Sequence, residues 1–129
     1  MNFDGGSRGN PGPAAAAAVA SDASGGELAD RTELVGEATN NVAEYRALLL
    51  AIGLATELGA SEVELVGDSQ LIVRQVRGEY KVKDSGLKPL HAEALEALGR
   101  FESWEIRDVR RESNERADQL LNEALDSAV

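Results

Sequence analysis

Apolar residues follow two rhythms along this chain, short compact runs near its start and longer stretches at helical spacing further on. Ala14 to Ala20 and Glu27 to Val35 are two such runs separated by Gly25-Gly26, and they predict strands joined as a hairpin. Alanine is a poor strand former, so the first run goes against intrinsic preference. From Val42 to Leu58 the residues Leu48, Leu49, Ile52, Ala55 and Leu58 recur at helical spacing, and Gly59 closes the segment. Glu62 to Val66 reads as a short strand buried beneath helices, ending at Gly67-Asp68, with a helix expected from Ser69 to about Tyr80. Leu87, Leu90, Ala94, Leu95, Leu98 and Phe101 mark another amphipathic helix, with Pro89 near its start and Gly99 near its end. Trp104 to Val109 is the final strand. Ala117, Leu120, Leu121, Ala124 and Leu125 form the apolar stripe of a last helix capped by Ser113 or Asn114. With the short apolar start as a first strand, the order is β-β-β-α-β-α-α-β-α, an α/β arrangement with three hairpin-type strands followed by a parallel portion.

A chain of 129 residues with 43% hydrophobic content suits one domain over residues 1–129. The absence of cysteine excludes disulfides, thiol chemistry and the usual zinc cages, and a single histidine, His91, excludes a histidine-rich metal site. Any metal must be held by oxygen. No apolar run approaches the roughly 18 to 20 residues of a membrane span, and the first residues do not resemble a signal peptide. A cytoplasmic protein with no membrane partner is expected.

The net charge of -10 argues against a polyanionic partner, until its distribution is considered. Between Arg74 and Lys88, five basic residues (Arg74, Arg77, Lys81, Lys83 and Lys88) face only Glu79 and Asp84. This basic strip suits a nucleic acid, and it also suits an ordinary solvated helix face. Acidity with only three lysines is compatible with a halophilic source or with a GC-rich genome.

Four carboxylates stand where strands end or helices begin: Asp4, Glu44, Asp68 and Asp118. Each has a purely structural reading. Glu44 completes a capping box with Asn41, Asp68 could cap the following helix, and Asp118 could complement a helix dipole. Asp4 is different, because aspartate is disfavoured inside a strand and here runs into a glycine-dense segment shaped for close backbone approach. Buried acids are costly unless they are paired or bound to metal. If the four converge, hard oxygen ligation selects Mg2+ or Mn2+.

Four blocks carry a specific resemblance: Asp4 to Pro13 (DGGSRGNPGP), Thr39 to Glu44 (TNNVAE), Gly67 to Gln70 (GDSQ) and Asn114 to Asp118 (NERAD). In this order and spacing they resemble the signature blocks of type 1 ribonuclease H across nearly the whole chain. The resemblance implies a five-stranded mixed sheet flanked by helices. It implies endonucleolytic hydrolysis of the RNA strand of an RNA·DNA hybrid, leaving 5′-phosphate and 3′-hydroxyl ends. It makes Asp4, Glu44, Asp68 and Asp118 the catalytic, metal-binding acids of a monomer that uses two Mg2+ or Mn2+ ions. By the same match, Asn10, Asn40 and Gln70 reach the minor groove, Thr39 with Asn10 meets a DNA phosphate, and Gly5 and Ser7 belong to the substrate-binding segment. The 2′-hydroxyl is the feature that separates the two strands.

This chain departs from that pattern in two places. The loop from Arg110 to Asn114 lacks the histidine of many relatives, leaving Arg111 or Glu112 as substitutes, and the basic protrusion is reduced to the strip named above. His91 is no replacement, since it lies between Leu87 and Leu95 on a helix. A non-catalytic hybrid-binding module and a sugar-kinase-like phosphotransferase are the other readings; 129 residues are too few for the two lobes of the latter. Only three residues precede Asp4, a short lead for a central strand. Adding several alternating apolar residues before Met1 is expected to raise the thermal midpoint, and equal midpoints for the two chains would reject that expectation.

Overall fold

The computed structural model describes residues 1–128. Strands β1 (Asn2–Ser7), β2 (Gly12–Ser21) and β3 (Glu27–Ala38) come first, followed by helix α1 (Asn40–Glu57). Strand β4 (Glu62–Gly67), helices α2 (Gln70–Val76) and α3 (Lys88–Leu98), strand β5 (Ser103–Asp108) and helix α4 (Glu115–Ser127) complete the order. The sheet runs β3-β2-β1-β4-β5. Its first three strands are antiparallel neighbours, whereas β1, β4 and β5 are parallel. This is the mixed five-stranded sheet expected from the order of elements.

The alanine run forms a strand because both of its faces are covered. Ala16, Ala18 and Ala20 pack in the main core with α1, while Ala15, Ala17 and Val19 pack with Ala117, Leu120, Leu121 and Leu125 of α4. Small side chains let two helices approach one strand from opposite sides, so tertiary packing overrides the weak preference of alanine for strand. Behind β1 and β4 the core holds Phe3, Tyr45, Leu48, Leu65, Ile72 and Leu98, none more than 2% exposed. A buried hydrogen bond of 2.7 Å from the Tyr45 hydroxyl to Gln75 Oε1 ties α1 to α2. Among the described residues, no helix is long and apolar enough to cross a membrane.

Of the boundaries that differ from the sequence reading, three bear on the site. Helix α1 begins two residues early, because Thr39 is the cap and its hydroxyl accepts from the Val42 amide at 3.2 Å. The Asn41–Glu44 capping box therefore does not form. Ser69, not Asp68, caps α2, which leaves the Asp68 carboxylate uncommitted to a helix end. That helix stops at Val76 instead of near Tyr80, because Gly78 adopts a positive φ of 81° and the amides of Glu79 and Tyr80 both turn back to the Arg74 carbonyl.

Gly5 lets β1 and α1 meet at the level of Asp4 and Glu44. A methyl group there would overlap the backbone of Ala43 and Glu44. Gly5→Ala should therefore destabilise the fold by roughly 2–3 kcal/mol, measured by urea denaturation. A loss under about 0.5 kcal/mol would show that the two elements tolerate separation.

Candidate active site

Asp4 stands in the middle of β1, on the face covered by α4, since it pairs with Ala17, and Asp68 follows the last residue of β4. These adjacent strands are parallel, so both carboxylates emerge at the same end of the sheet. Glu44 comes from the second turn of α1 and Asp118 from the first turn of α4. One carboxylate oxygen from each of Asp4, Glu44 and Asp68 lies within 4.8 Å of the others. Asp118 lines the same cleft, whose volume is about 560 Å³. Folding thus brings together all four carboxylates singled out in the sequence. Asp4 and Glu44 are buried, at 5% and 6% exposure, while Asp68 and Asp118 are half-buried.

Burial and mutual repulsion raise the affinity of these acids for protons. Asp4 is pushed from 3.8 to about 8, first by desolvation and then by the charge of Asp68 and its contacts with Asp118. Burial, followed by the charges of Asp4 and Asp68, also holds Glu44 well above the usual range, although its Oε1 accepts a 2.6 Å hydrogen bond from the Gly5 amide. Asp68 is raised by burial and held back by Asn114 and Arg111. Arg111 enters the cleft at 3.4 Å from Asp118, whose charge is the main reason its own guanidinium holds the proton more tightly. The donor set fits a hard divalent cation. It is all oxygen and crowded, and among the described residues Arg111 is its close cationic partner.

The remaining residues selected from the sequence divide into three groups. Ser7, Asn10, Thr39 and Asn40 form a rim that ties the β1–β2 turn to the start of α1. Asn40 Oδ1 accepts from the Ser7 amide at 2.8 Å and from its hydroxyl at 3.1 Å, and Asn10 Oδ1 accepts from the Asn40 amide at 3.0 Å. Gly5, Ser7 and Asn40 line the cleft. Gln70 and Glu112 are exposed and stand outside its walls, Gln70 beside the lining residue Ser69 and Glu112 beside Arg111. The basic strip also lies outside the cleft. Arg77 donates to the Ile106 carbonyl at 2.9 Å, Arg74 stacks on Tyr80 at 5.5 Å, and both approach Glu79. Lys81, Lys83 and Lys88 are exposed around the α2–α3 connection. His91 packs edge-on against Tyr45 and meets the Gln75 carbonyl at 3.1 Å, away from the carboxylates.

The sequence marks Asn114 as a helix cap and as the head of the NERAD block, and the structure gives it a larger part. Its side chain makes no cap bond and is 1% exposed. Its Nδ2 donates to the Phe3 carbonyl at 2.9 Å and approaches Asp68 Oδ2 at 3.5 Å, while its Oδ1 accepts from Asn2 at 2.9 Å. One amide thereby joins the strand carrying Asp4, the end of β4 at Asp68 and the helix carrying Asp118. Arg8 was also passed over, as part of the glycine segment, although it lines the cleft. A polar residue directly before an amphipathic helix, four positions ahead of a suspected ligand, was the available signal for Asn114.

A carboxylate cluster at the end of adjacent parallel strands, closed by the N-terminal parts of two helices, defines a protein of the ribonuclease H-like fold class. The model of the reverse transcriptase-like family matches residues 2–124. Ribonuclease HI of Halobacterium salinarum is 48% identical over 126 residues, covering 98% of this chain and 63% of that protein. The bifunctional protein Rv2228c of Mycobacterium tuberculosis is 44% identical over 130 residues, covering 100% of this chain and 36% of its own length. The chain thus spans less than two thirds of these curated relatives. Among solved structures, RNase H1 of Halobacterium salinarum superposes with a TM-score of 0.95 at 47% identity, covering 98% of this chain and 96% of that one. LC11-RNase H1 in complex with an RNA/DNA hybrid gives 0.94 at 43% identity, with the same coverage. The chain belongs to the type 1 ribonuclease H family.

The raised carboxylates set a pH dependence. An acid with a folded pKa above its unfolded value takes up a proton on folding, so metal-free stability is greatest at low pH and falls as pH rises from about 4 towards 8. Asp22 and Glu27 act in the opposite sense. Ser24 and Arg116 hold them below the usual range, so their contribution is lost only at more acid pH, outside this window. In EDTA the thermal midpoint should be higher near pH 5.5 than near pH 8.5, a difference on the order of 2 kcal/mol that Asp4→Asn reduces and added Mn2+ offsets at the upper pH. A metal-free midpoint that climbs across this interval would contradict the crowding.

Proposed function

We propose that residues 1–129 act as one catalytic unit, a metal-dependent endonuclease that hydrolyses the RNA strand of RNA·DNA hybrids to 5′-phosphate and 3′-hydroxyl ends. The observation that carries this reading is the convergence of Asp4, Glu44 and Asp68 within 4.8 Å, with Asp118 in the same open cleft. In this reading the four carboxylates hold two Mg2+ or Mn2+ ions when substrate is bound. Bound there, divalent cations supply Lewis-acid activation of water and stabilisation of the departing 3′ oxygen. The protein works as a monomer in the cytoplasm on one hybrid duplex.

The chain's own residues provide position and charge. The Gly5 amide fixes the Glu44 carboxylate, and Asn114 fixes the approach of Asp68 to the strand bearing Asp4. The rim of Ser7, Asn10, Thr39 and Asn40 presents short polar groups to the sugar edge of a duplex, where a 2′-hydroxyl marks the RNA strand. Gln70 can join this edge from its exposed place at the start of α2. Of the two substitutes for a loop histidine, the geometry favours Arg111, which enters the cleft, over Glu112, which does not. A guanidinium does not give up its proton in proteins, so Arg111 serves as a fixed positive charge and not as a proton carrier. The basic strip supplies distant, salt-sensitive attraction.

A labelled hybrid should be cut only when Mg2+ or Mn2+ is present, at the RNA strand alone. Asp4→Asn and Glu44→Gln should each lower kcat on the order of 100-fold or more, while hybrid binding in EDTA stays within a few-fold of wild type. Cleavage that survives EDTA, or wild-type turnover by Asp4→Asn, would reject the reading. Tight hybrid binding without cleavage in either metal would favour a non-catalytic module.

A further inference from the structure

The cleft has a second cation on the side opposite the loop of Arg111. Arg8 leaves the turn between β1 and β2, and its Nη2 lies 2.6 Å from Asp126 Oδ1 and 3.4 Å from the Asn122 carbonyl, both in the last turns of α4. Of the described residues that line the cleft, Arg8 and Arg111 are the two that carry positive charge. The main chain at Arg8 is held fast. Its amide donates to the Pro13 carbonyl at 2.8 Å, Gly9 takes a positive φ of 90°, and a side chain at Gly12 would collide with the Arg8 carbonyl. Motion is left to the side chain alone.

The ion pair that now occupies Arg8 is exposed, with side-chain accessibilities of 44% for the arginine and 69% for the aspartate. An exposed pair of this kind contributes little to stability, since water screens it and two long side chains must be held in one geometry. Exchanging Asp126 for another anion therefore costs little. A guanidinium matches a phosphate with two parallel hydrogen bonds, and a nucleic acid laid across the carboxylates brings phosphates to both ends of the cleft. The strip from Arg74 to Lys88 does not reach this end, because none of its members lines the cleft.

We propose that Arg8 is a substrate-positioning phosphate clamp: it releases Asp126 and grips a backbone phosphate of the nucleic acid beside α4, opposite Arg111. Asp126 is its internal competitor, holding the guanidinium in place when no substrate is bound. This inference rests on the hybrid-nuclease reading and adds the residue that sets affinity on the α4 side.

The test uses a fluorescein-labelled RNA·DNA hybrid, with anisotropy in Ca2+ or EDTA for binding and turnover in Mg2+ for kinetics, each across a series of salt concentrations. Arg8→Ala should raise Kd and KM about 5- to 10-fold, place the loss in KM more than in kcat, and reduce the slope of log Kd against log salt by about 1. Asp126→Asn should move the other way, tightening binding at low salt, and the double variant should match Arg8→Ala. A merely structural ion pair would give two single variants with the same lowered thermal midpoint and the same direction of change in Kd. Such parallel behaviour, or an Arg8→Ala Kd equal to wild type, overturns the clamp. Wild-type protein that cuts the hybrid while Arg8→Ala behaves identically removes the clamp alone. Wild-type protein that neither binds nor cuts the hybrid removes the nuclease reading and the clamp with it.

Discussion

Mutual repulsion among acids gathered at one end of the sheet is the constraint around which this fold is arranged. Asp4 and Glu44 are buried with Asp68 close by, and desolvation and like charge both oppose their ionisation. Without metal, a compact state survives only if protons, amide donors and nearby cations offset that opposition. Each is present. The Gly5 amide meets Glu44, the Asn114 side chain approaches Asp68, and Arg111 faces Asp118. Such supports lower the cost of bringing the acids together and leave a crowded set of oxygens whose repulsion a divalent cation would offset.

The architecture also explains how the cluster is held. Two of its acids come from neighbouring parallel strands or their ends, and two from the N-terminal parts of helices that cover opposite faces of the sheet. Helix α1 packs against one face of the alanine strand and α4 against the other, so the sheet is clasped at β2 while the acids meet at β1. Close approach is essential to this arrangement. Alanine in β2 and glycine at position 5 remove the side-chain volume that would otherwise keep α1 and α4 apart from the sheet. Asn114 then adds direction to proximity, because its hydrogen bonds reach a β1 carbonyl and the end of β4 from the cap position of α4.

The element order and the four acids were legible in the sequence because both leave local marks. Helical spacing from Val42 to Leu58 and the strand ending at Gly67-Asp68 correspond to α1 and β4 with only small shifts in boundary. The length of α2 was overestimated because the apolar pattern continues past Val76, although Gly78 carried the stop signal. Capping was harder to read. Thr39, Asn40 and Asn41 are all good caps by chemistry, and the choice of Thr39 depends on Asn40 being engaged by the Ser7 amide, a contact between residues 33 positions apart. The parts played by Asn114 and Arg8 rest mostly on contacts across more than 100 positions, which the one local mark at Asn114, a polar residue ahead of an amphipathic helix, does not reveal. A run of basic residues was visible as composition, but whether it faced the cleft was a matter of topology, and Arg74 and Arg77 instead brace α2 against β5 and the turn at Glu79.

The proposed function sets a chain of net charge -10 against a polyanion, an electrostatic problem that its geometry makes tractable. Charges beyond a Debye length of about 8 Å are largely screened at physiological salt, so the acids scattered over the outer surface matter less than the charges inside the cleft. Several surface acids are also engaged by cations, as Glu27 and Asp30 are by Arg116, and Glu57 by Arg31. Within the metal-free cleft, burial keeps Asp4 and Glu44 protonated near neutral pH, so Asp68 and Asp118 offset the two arginines and phosphate meets no net attraction. In the proposed function, divalent cations would make the cleft positive where the scissile phosphate would lie, while the arginines at either end would act on flanking charge. On that reading affinity for nucleic acid and occupancy by metal would be two sides of one equilibrium, and each ligand would raise the affinity for the other by the same factor.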